Sequence, residues 1–117
     1  MSFKFEKLEV WKKSLELANQ IHLLTKKWPN DELYVLTSQI KRATDSVSLN
    51  LTEGSTGQSN PEFRRFLGYS IRSGLEVVNC LYLAKGRQLI SDDQFDLFYQ
   101  KLTEIIKMLQ ALRNSLK

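Results

Sequence analysis

The stretch from Leu36 to Gly54, LTSQIKRATDSVSLNLTEG, decides the fold of this chain. Apolar residues recur in it at steps of three and four, so they share one face of a helix: Leu36, Ile40, Ala43, Val47 and Leu51. A polar stripe with the same spacing lies about 100° round that helix: Gln39, Arg42, Ser46, Asn50 and Glu53. A regular row of hydrogen-bonding side chains of this kind predicts a fixed hydrogen-bond network.

The polar stripe could serve either as a binding or catalytic site or as a structural network, and we favour the network. In that interpretation Arg42 pairs with Glu76 of the following helix, because a buried guanidinium needs a carboxylate partner to offset its desolvation. Gln39, Asn50 and Glu53 would then hold loop and cap groups.

Two breaks in the helical pattern set the bounds of the first two predicted helices. A helix is predicted from about Leu8 to Trp28, and Pro29-Asn30-Asp31 ends it and caps the next one. The second helix is predicted from about Glu32 to Glu53, with Gly54 at the position where a glycine commonly ends a helix. A small polar loop, Ser55 to Gln58, follows.

The second half contains two more helices, each with a capping-box spacing at its start. Ser59 and Glu62 open the third helix, which is predicted to run to about Arg87, and Ser91 and Gln94 open the fourth. The third helix has the apolar line Phe63, Leu67, Ser70, Gly74, Val77, Leu81 and Ala84. The fourth has the line Phe95, Phe98, Leu102, Ile105, Leu109, Leu112 and Leu116, with Lys107, Arg113 and Lys117 toward its end.

Helices of roughly 20 to 28 residues with short connections predict an all-α, antiparallel, up-down-up-down four-helix bundle, formed as a single domain over residues 1–117. The third helix is apolar over most of its circumference, which exceeds what one bundle can bury. We therefore predict that the chain is a homo-oligomer, the alternative being a monomer with a wide core and some exposed aromatic side chains.

Composition limits the functional classes. The chain has 117 residues, 17 basic and 13 acidic, for a net charge of +4. That mild basic bias permits nucleic-acid binding without requiring it. The first residues carry no apolar secretory segment, no run is long enough to span a bilayer, and the one cysteine excludes an intrachain disulfide. We expect a cytoplasmic protein with no membrane contact.

No catalytic or metal-binding constellation is evident, so we predict a non-enzymatic protein without a cofactor or metal. A bundle di-iron site needs two Glu-x-x-His motifs, and His22 is the only histidine. Cys80 lies in an apolar line without an adjacent base and is interpreted as an inert core thiol. The Gly54–Gly57 loop lacks the Lys-Ser/Thr of a phosphate-binding loop.

The basic residues are the remaining functional candidates: Arg64, Arg65, Arg72, Lys26 and Lys27. They predict backbone-driven contact with structured RNA or DNA, with little sequence preference because no RNA-stacking motif is present. Two alternatives stay open. These residues could form only a solvated surface, or the protein could be a scaffold or adaptor for a protein partner.

Several motifs together resemble the four-helix-bundle family of 23S ribosomal-RNA intervening-sequence proteins. They are FEKLEVW, Trp28-Pro29, TSQIKRATDSVSLNLTEG, PEFRRFL, SIRSGLE and IIKML, and they cover nearly the whole chain. The resemblance implies an antiparallel bundle that assembles as a ring-like pentamer. It also implies nucleic-acid binding through a basic surface, and a likeness to the accessory proteins of diversity-generating retroelements.

Five copies, each of net charge +4, would carry about +20, which is enough to matter for phosphate binding. The chain departs from the family pattern after Glu53-Gly54, where Ser55 stands in place of a basic residue. That change weakens a role for this loop in phosphate contact.

Overall fold

Four α-helices make up most of the computed structural model, which describes residues 1–57 and 59–116. They are α1 (Glu9–Thr25), α2 (Ser38–Ser55), α3 (Asn60–Gly86) and α4 (Asp92–Ser115). The described residues contain no strand, so the prediction of an all-helical chain is confirmed. Gln58 of the predicted loop and Lys117 at the predicted end of α4 lie outside the described residues.

The starts of α3 and α4 follow the capping chemistry of the sequence. At α4 the predicted capping box is confirmed, since the Gln94 amide donates to Ser91 Oγ at 3.1 Å and the Ser91 amide donates to Gln94 Oε1 at 2.9 Å. At α3 the Ser59 hydroxyl accepts from the Glu62 amide at 3.3 Å, and Pro61 occupies the first turn. Both caps satisfy amides that have no partner inside the helix.

The start of α2 differs from the prediction. A 3₁₀ turn covers Asn30–Glu32 and a π-helical turn covers Leu33–Thr37 before the regular helix begins at Ser38. Within the π turn Leu36 stays on the buried face that the later apolar residues of α2 share, whereas the three residues before it do not. Leu33, Tyr34 and Val35 are consequently exposed, Tyr34 to 89%. We call these three residues the apolar tip.

The core forms where the sequence predicts it. The five apolar residues of the predicted α2 face are all buried, and so are the seven residues of the α3 line. In the α4 line the residues from Phe95 to Leu109 are buried. The Ser70 hydroxyl lies within this core and donates to the Val47 carbonyl oxygen at 2.9 Å. A buried hydroxyl on α3 is therefore satisfied by the backbone of α2.

Neighbouring helices contact each other in opposite residue order. Along α2 and α3 the contacting pairs are Gln39 with Glu76, Val47 with Ser70, and Gly54 with Phe66. Along α3 and α4 they are Arg64 with Arg113, Gly74 with Ile106, and Lys85 with Asp92. Helix α1 packs on α2 and, less extensively, on α4.

An ion pair joins α1 to α4. Lys13 Nζ lies 3.0 Å from Glu104 Oε1, and the hydrogen bond to this carboxylate raises the pKa of Lys13. Both side chains are solvent-exposed, so the pair contributes little to stability.

Gly54 has a different role from the one predicted. α2 continues through it to Ser55, and none of the described glycines has a positive φ, so no left-handed cap is needed here. Gly54 is buried instead, and a Cβ built on it would lie 2.6 Å from the Phe66 Cβ. The missing side chain allows α2 and α3 to approach closely.

A left-handed residue does end α3, and it is Gln88 with φ 60°. The Leu89 amide donates to the Ala84 carbonyl oxygen at 2.9 Å across this turn, which is the long bond of a Schellman motif.

Candidate nucleic-acid interface

An open groove forms where α3 begins and α4 ends. Its described lining residues are Pro61, Arg64, Arg65, Arg113, Asn114 and Leu116, and no carboxylate is among them. We call this feature the arginine groove. Three guanidinium groups on two helices thus lie around one concave surface, which is the arrangement expected for contact with phosphate oxygens.

Arg64 has a structural role in this groove. Its Nη1 donates to the Arg113 carbonyl oxygen at 2.6 Å and to the Leu116 carbonyl oxygen at 2.8 Å. The Arg113 carbonyl belongs to the last turn of α4 and also accepts from the Leu116 amide at 3.2 Å, and Leu116 directly follows the helix. A cation is favoured at this end by the helix dipole. Arg64 therefore caps α4 and ties it to the start of α3.

Arg65 and Arg113 keep their hydrogen-bonding capacity for a ligand. The Arg65 guanidinium lies 5.5 Å from the centre of the Phe66 ring, and the Arg113 guanidinium lies over α3 beside Gly68. Neither is in an ion pair among the described residues. Both are exposed and can turn toward a phosphate without losing a carboxylate partner.

Replacing Arg64 by alanine is expected to lower the free energy of unfolding by about 1 kcal/mol, because two charge-assisted hydrogen bonds to α4 are lost in a partly solvated setting. Arg65→Ala is the matched control on the adjacent position. Among residues 1–57 and 59–116 the side chain of Arg65 contacts only the Phe66 ring, so its loss should change stability by less than about 0.5 kcal/mol. Urea unfolding followed by circular dichroism measures both. Equal losses in the two variants would refute the capping role.

The other predicted basic residues lie at different places. Arg72 is exposed seven residues after Arg65 on the same face of α3, about 10 Å further along the helix. Lys26 and Lys27 line a separate groove with Leu97, near the start of α4. Leu97 and Arg113 are separated by about 24 Å of helix. The structure therefore brings Arg72 near the arginine groove and leaves the two lysines apart from it.

Arg113 was not among the residues that sequence reasoning assigned to binding. Its position near the end of α4 indicated only a cation suited to the helix dipole. Gly68 is the sequence signal that could have indicated Arg113, because the missing side chain leaves room for the guanidinium to lie across α3. A single glycine, however, does not identify which residue packs against it.

The predicted Arg42–Glu76 pair does not form within the chain. Arg42 is exposed and has no ion pair among the described residues, whereas Glu76 Oε2 accepts from Gln39 Nε2 at 3.5 Å. The Asn50 amide donates to the carbonyl oxygen of Ser46 in its own helix, and Glu53 is exposed. The reason is geometric, since the stripe lies on the outer side of the α2–α3 contact, where a guanidinium stays hydrated and needs no partner.

His22 and Cys80 show no arrangement for catalysis. His22 is half-buried, with Nε2 at 3.3 Å from Asp45 Oδ1. Cys80 is buried, and burial raises the pKa of its thiol to about 11, so the reactive thiolate is disfavoured at neutral pH. Over residues 1–57 and 59–116 there is no group of three or more His, Cys, Asp or Glu side chains placed to hold a metal ion.

Apolar side chains also remain on the surface of the subunit. Beyond the apolar tip, the more exposed ones on the four α-helices are Leu23, Leu49, Leu75, Tyr82 and Leu97. Leu75 and Tyr82 come from the surplus apolar surface of the third helix that the sequence predicted. No helix in the described part of the chain combines the length and the apolar character needed to cross a membrane.

Comparisons with known proteins find similarity to a protein family and to solved structures. The family model described as 23S rRNA-intervening sequence protein matches residues 6–111. A crystal structure at 1.70 Å of a protein with unknown function from the S23 ribosomal protein family of Bacteroides thetaiotaomicron VPI-5482 is similar, with 29% sequence identity and a TM-score of 0.83. The match covers 90% of this chain and 95% of that one. The comparison with curated proteins gives no match.

Proposed function

The chain belongs to the 23S rRNA-intervening sequence protein family, and from that premise we propose that it is a non-enzymatic, oligomeric protein that binds structured RNA or DNA through the arginine groove and Arg72. The observation that carries the proposal is the convergence of Arg64, Arg65 and Arg113 on a groove whose described lining holds no carboxylate. A phosphodiester backbone supplies the repeated acceptor oxygens that such a surface binds.

The contact with nucleic acid is mainly electrostatic. Arg65, Arg72 and Arg113 each bind phosphate oxygens, which positions the protein without reading base sequence. Arg64 adds positive charge while it holds the end of α4 in place. Binding of this type falls steeply as salt rises, because counterions are released when phosphates are neutralised.

The proposal includes the quaternary structure. The opposite residue order of the helix contacts supports an antiparallel, up-down-up-down bundle, and the exposed apolar residues of α3 support a ring-like homo-oligomer, with a pentamer favoured. A ring would place several arginine grooves on one assembly and raise its local positive charge.

Fluorescence anisotropy with a labelled RNA hairpin and a labelled DNA duplex, at about 50 and 200 mM salt, tests the binding. The assembled protein should bind at low salt and lose affinity steeply at high salt. The variant Arg65→Gln/Arg72→Gln/Arg113→Gln should bind at least about tenfold more weakly and show a smaller salt slope. Arg64 is left intact so that the fold is not perturbed.

A matched control separates the groove from net charge. The variant Lys41→Gln/Lys85→Gln/Lys101→Gln removes the same number of positive charges at positions outside the groove and should retain most of the affinity. Equal weakening in both triple variants, or no binding by the wild-type protein at low salt, would refute the proposed surface.

A protein scaffold or adaptor is the second candidate, and the exposed apolar side chains are the observation that favours it. An interface built on apolar anchors depends little on salt. Retention of a protein partner that persists at high salt, together with no affinity for either nucleic acid, would select this function.

A further inference from the structure

We propose that copies of this chain associate head to tail, with the apolar tip of one subunit seated in the groove between α1 and α4 of the next. The inference rests on the oligomer in the proposed function and specifies which surfaces meet. It makes no use of the arginine groove.

The first surface is the apolar tip. Leu33, Tyr34 and Val35 are consecutive and are exposed to 44%, 89% and 55%. Three consecutive apolar side chains on the surface are unfavourable in water unless something covers them. Asp31 lies just before them, is exposed, and has no ion pair among the described residues. Glu32, by contrast, is bound by Arg87 at 3.0 Å.

The second surface is the α1–α4 groove, whose apolar part comes from the end of α1 and the start of α4. Its lining includes Leu23, Leu24, Leu97 and Phe98, with Leu23 exposed to 62% and Leu97 to 51%. The groove exists because α1 packs on α4 less extensively than on α2. An incompletely closed seam between two helices is a common docking site for apolar side chains.

Charge complements the apolar match. Lys26 and Lys27 belong to the lining of the groove, and no acidic residue is among the described residues that line it. Neither lysine is in an ion pair among those residues. The apolar tip thus matches the apolar groove, and the acid before the tip matches the two lysines at the groove. This match favours a second copy of the chain as the occupant of the groove.

The placement of the two surfaces determines the type of assembly. The tip lies between α1 and α2, whereas the groove lies between α1 and α4, and the two share no residue. A contact between different patches on identical subunits is heterologous, so each subunit can bind one neighbour with its tip and another with its groove. Such contacts form a closed ring if the rotation between subunits closes.

Complementary variants test the contact. Tyr34→Lys/Val35→Lys disables the tip and Leu23→Asp/Leu97→Asp disables the groove; all four positions are exposed, so the subunit fold should be kept, as circular dichroism can verify. Light scattering measures the mass. The wild type should exceed two copies, and each variant alone should have the 13.6 kDa subunit mass. An equimolar mixture should form only dimers, because one intact tip and one intact groove remain.

Each other result has a defined meaning. A monomeric wild type overturns both this inference and the proposed oligomer. An oligomeric wild type whose two variants keep the same mass overturns this inference alone, as does a mixture that stays monomeric or a wild type of two copies. A charge exchange adds a second readout: Asp31→Lys should weaken assembly about tenfold or more, and Lys26→Glu/Lys27→Glu in the same chain should restore it.

Discussion

Gly54→Ala is expected to lower the free energy of unfolding by about 3 kcal/mol, a large change for a single methyl group. The new Cβ would lie 2.6 Å from the Phe66 Cβ and 3.1 Å from Phe63 Cδ1. The Phe66 Cβ is bonded directly to the backbone of α3 and cannot rotate away, so α2 and α3 must move apart. That movement would loosen the contact on which the α2 apolar face depends.

Gly86→Ala is the control for this prediction. A Cβ at Gly86 would have no neighbouring heavy atom within 4 Å, and alanine is the better helix former, so stability should stay unchanged or rise by about 0.5 kcal/mol. Urea unfolding at a fixed protein concentration measures both variants, since assembly makes stability depend on concentration. A loss below about 0.5 kcal/mol for Gly54→Ala would show that the close approach is not required.

The second large effect is expected from Leu67→Ala, which should destabilise the protein by about 3 kcal/mol. Leu67 has no exposed surface and belongs to the buried α3 line, where a lost side chain leaves a cavity that rigid neighbours cannot fill. Leu67→Met conserves volume and should cost less than about 1.5 kcal/mol. Thermal and urea unfolding measure the free energy of unfolding of both variants. Equal decreases for Leu67→Ala and Leu67→Met would show that the lost volume does not explain the destabilisation.

Helix positions and core faces could be predicted because they depend on short-range periodicity. The α2 face, the α3 line and the Ser91 cap each follow from residues three or four positions apart, and those distances are set by the helix itself. The start of α2 could not be predicted in this way. The π-helical turn over Leu33–Thr37 replaces regular helix although nothing in LYVLT signals it.

The candidate site was predicted less well because it depends on which residues of different helices meet. Spacing assigns Arg42 and Glu76 to faces of their own helices, but the axial position of α3 relative to α2 decides that Gln39, and not Arg42, reaches Glu76. The same limit applies to Arg64. Its sequence context suggests a free surface cation, whereas the end of α4 supplies two carbonyl oxygens that hold it.

The glycine at position 54 illustrates a third limit. A glycine at the end of a predicted helix has two physical uses, a left-handed backbone or room for a neighbouring chain, and sequence alone does not separate them. The structure selects the second use, because α2 continues past this residue and Phe66 occupies the space.

The burial of Cys80 has a practical consequence for measuring distances in the assembly. Its thiol is enclosed in the core and holds its proton at neutral pH, so thiol-directed labels will not modify it in the folded protein. A cysteine introduced at one exposed position would thus be the only reactive thiol of each subunit, with no need to delete the native one. Spin labels or fluorophores attached there would report subunit spacing in an otherwise unaltered chain.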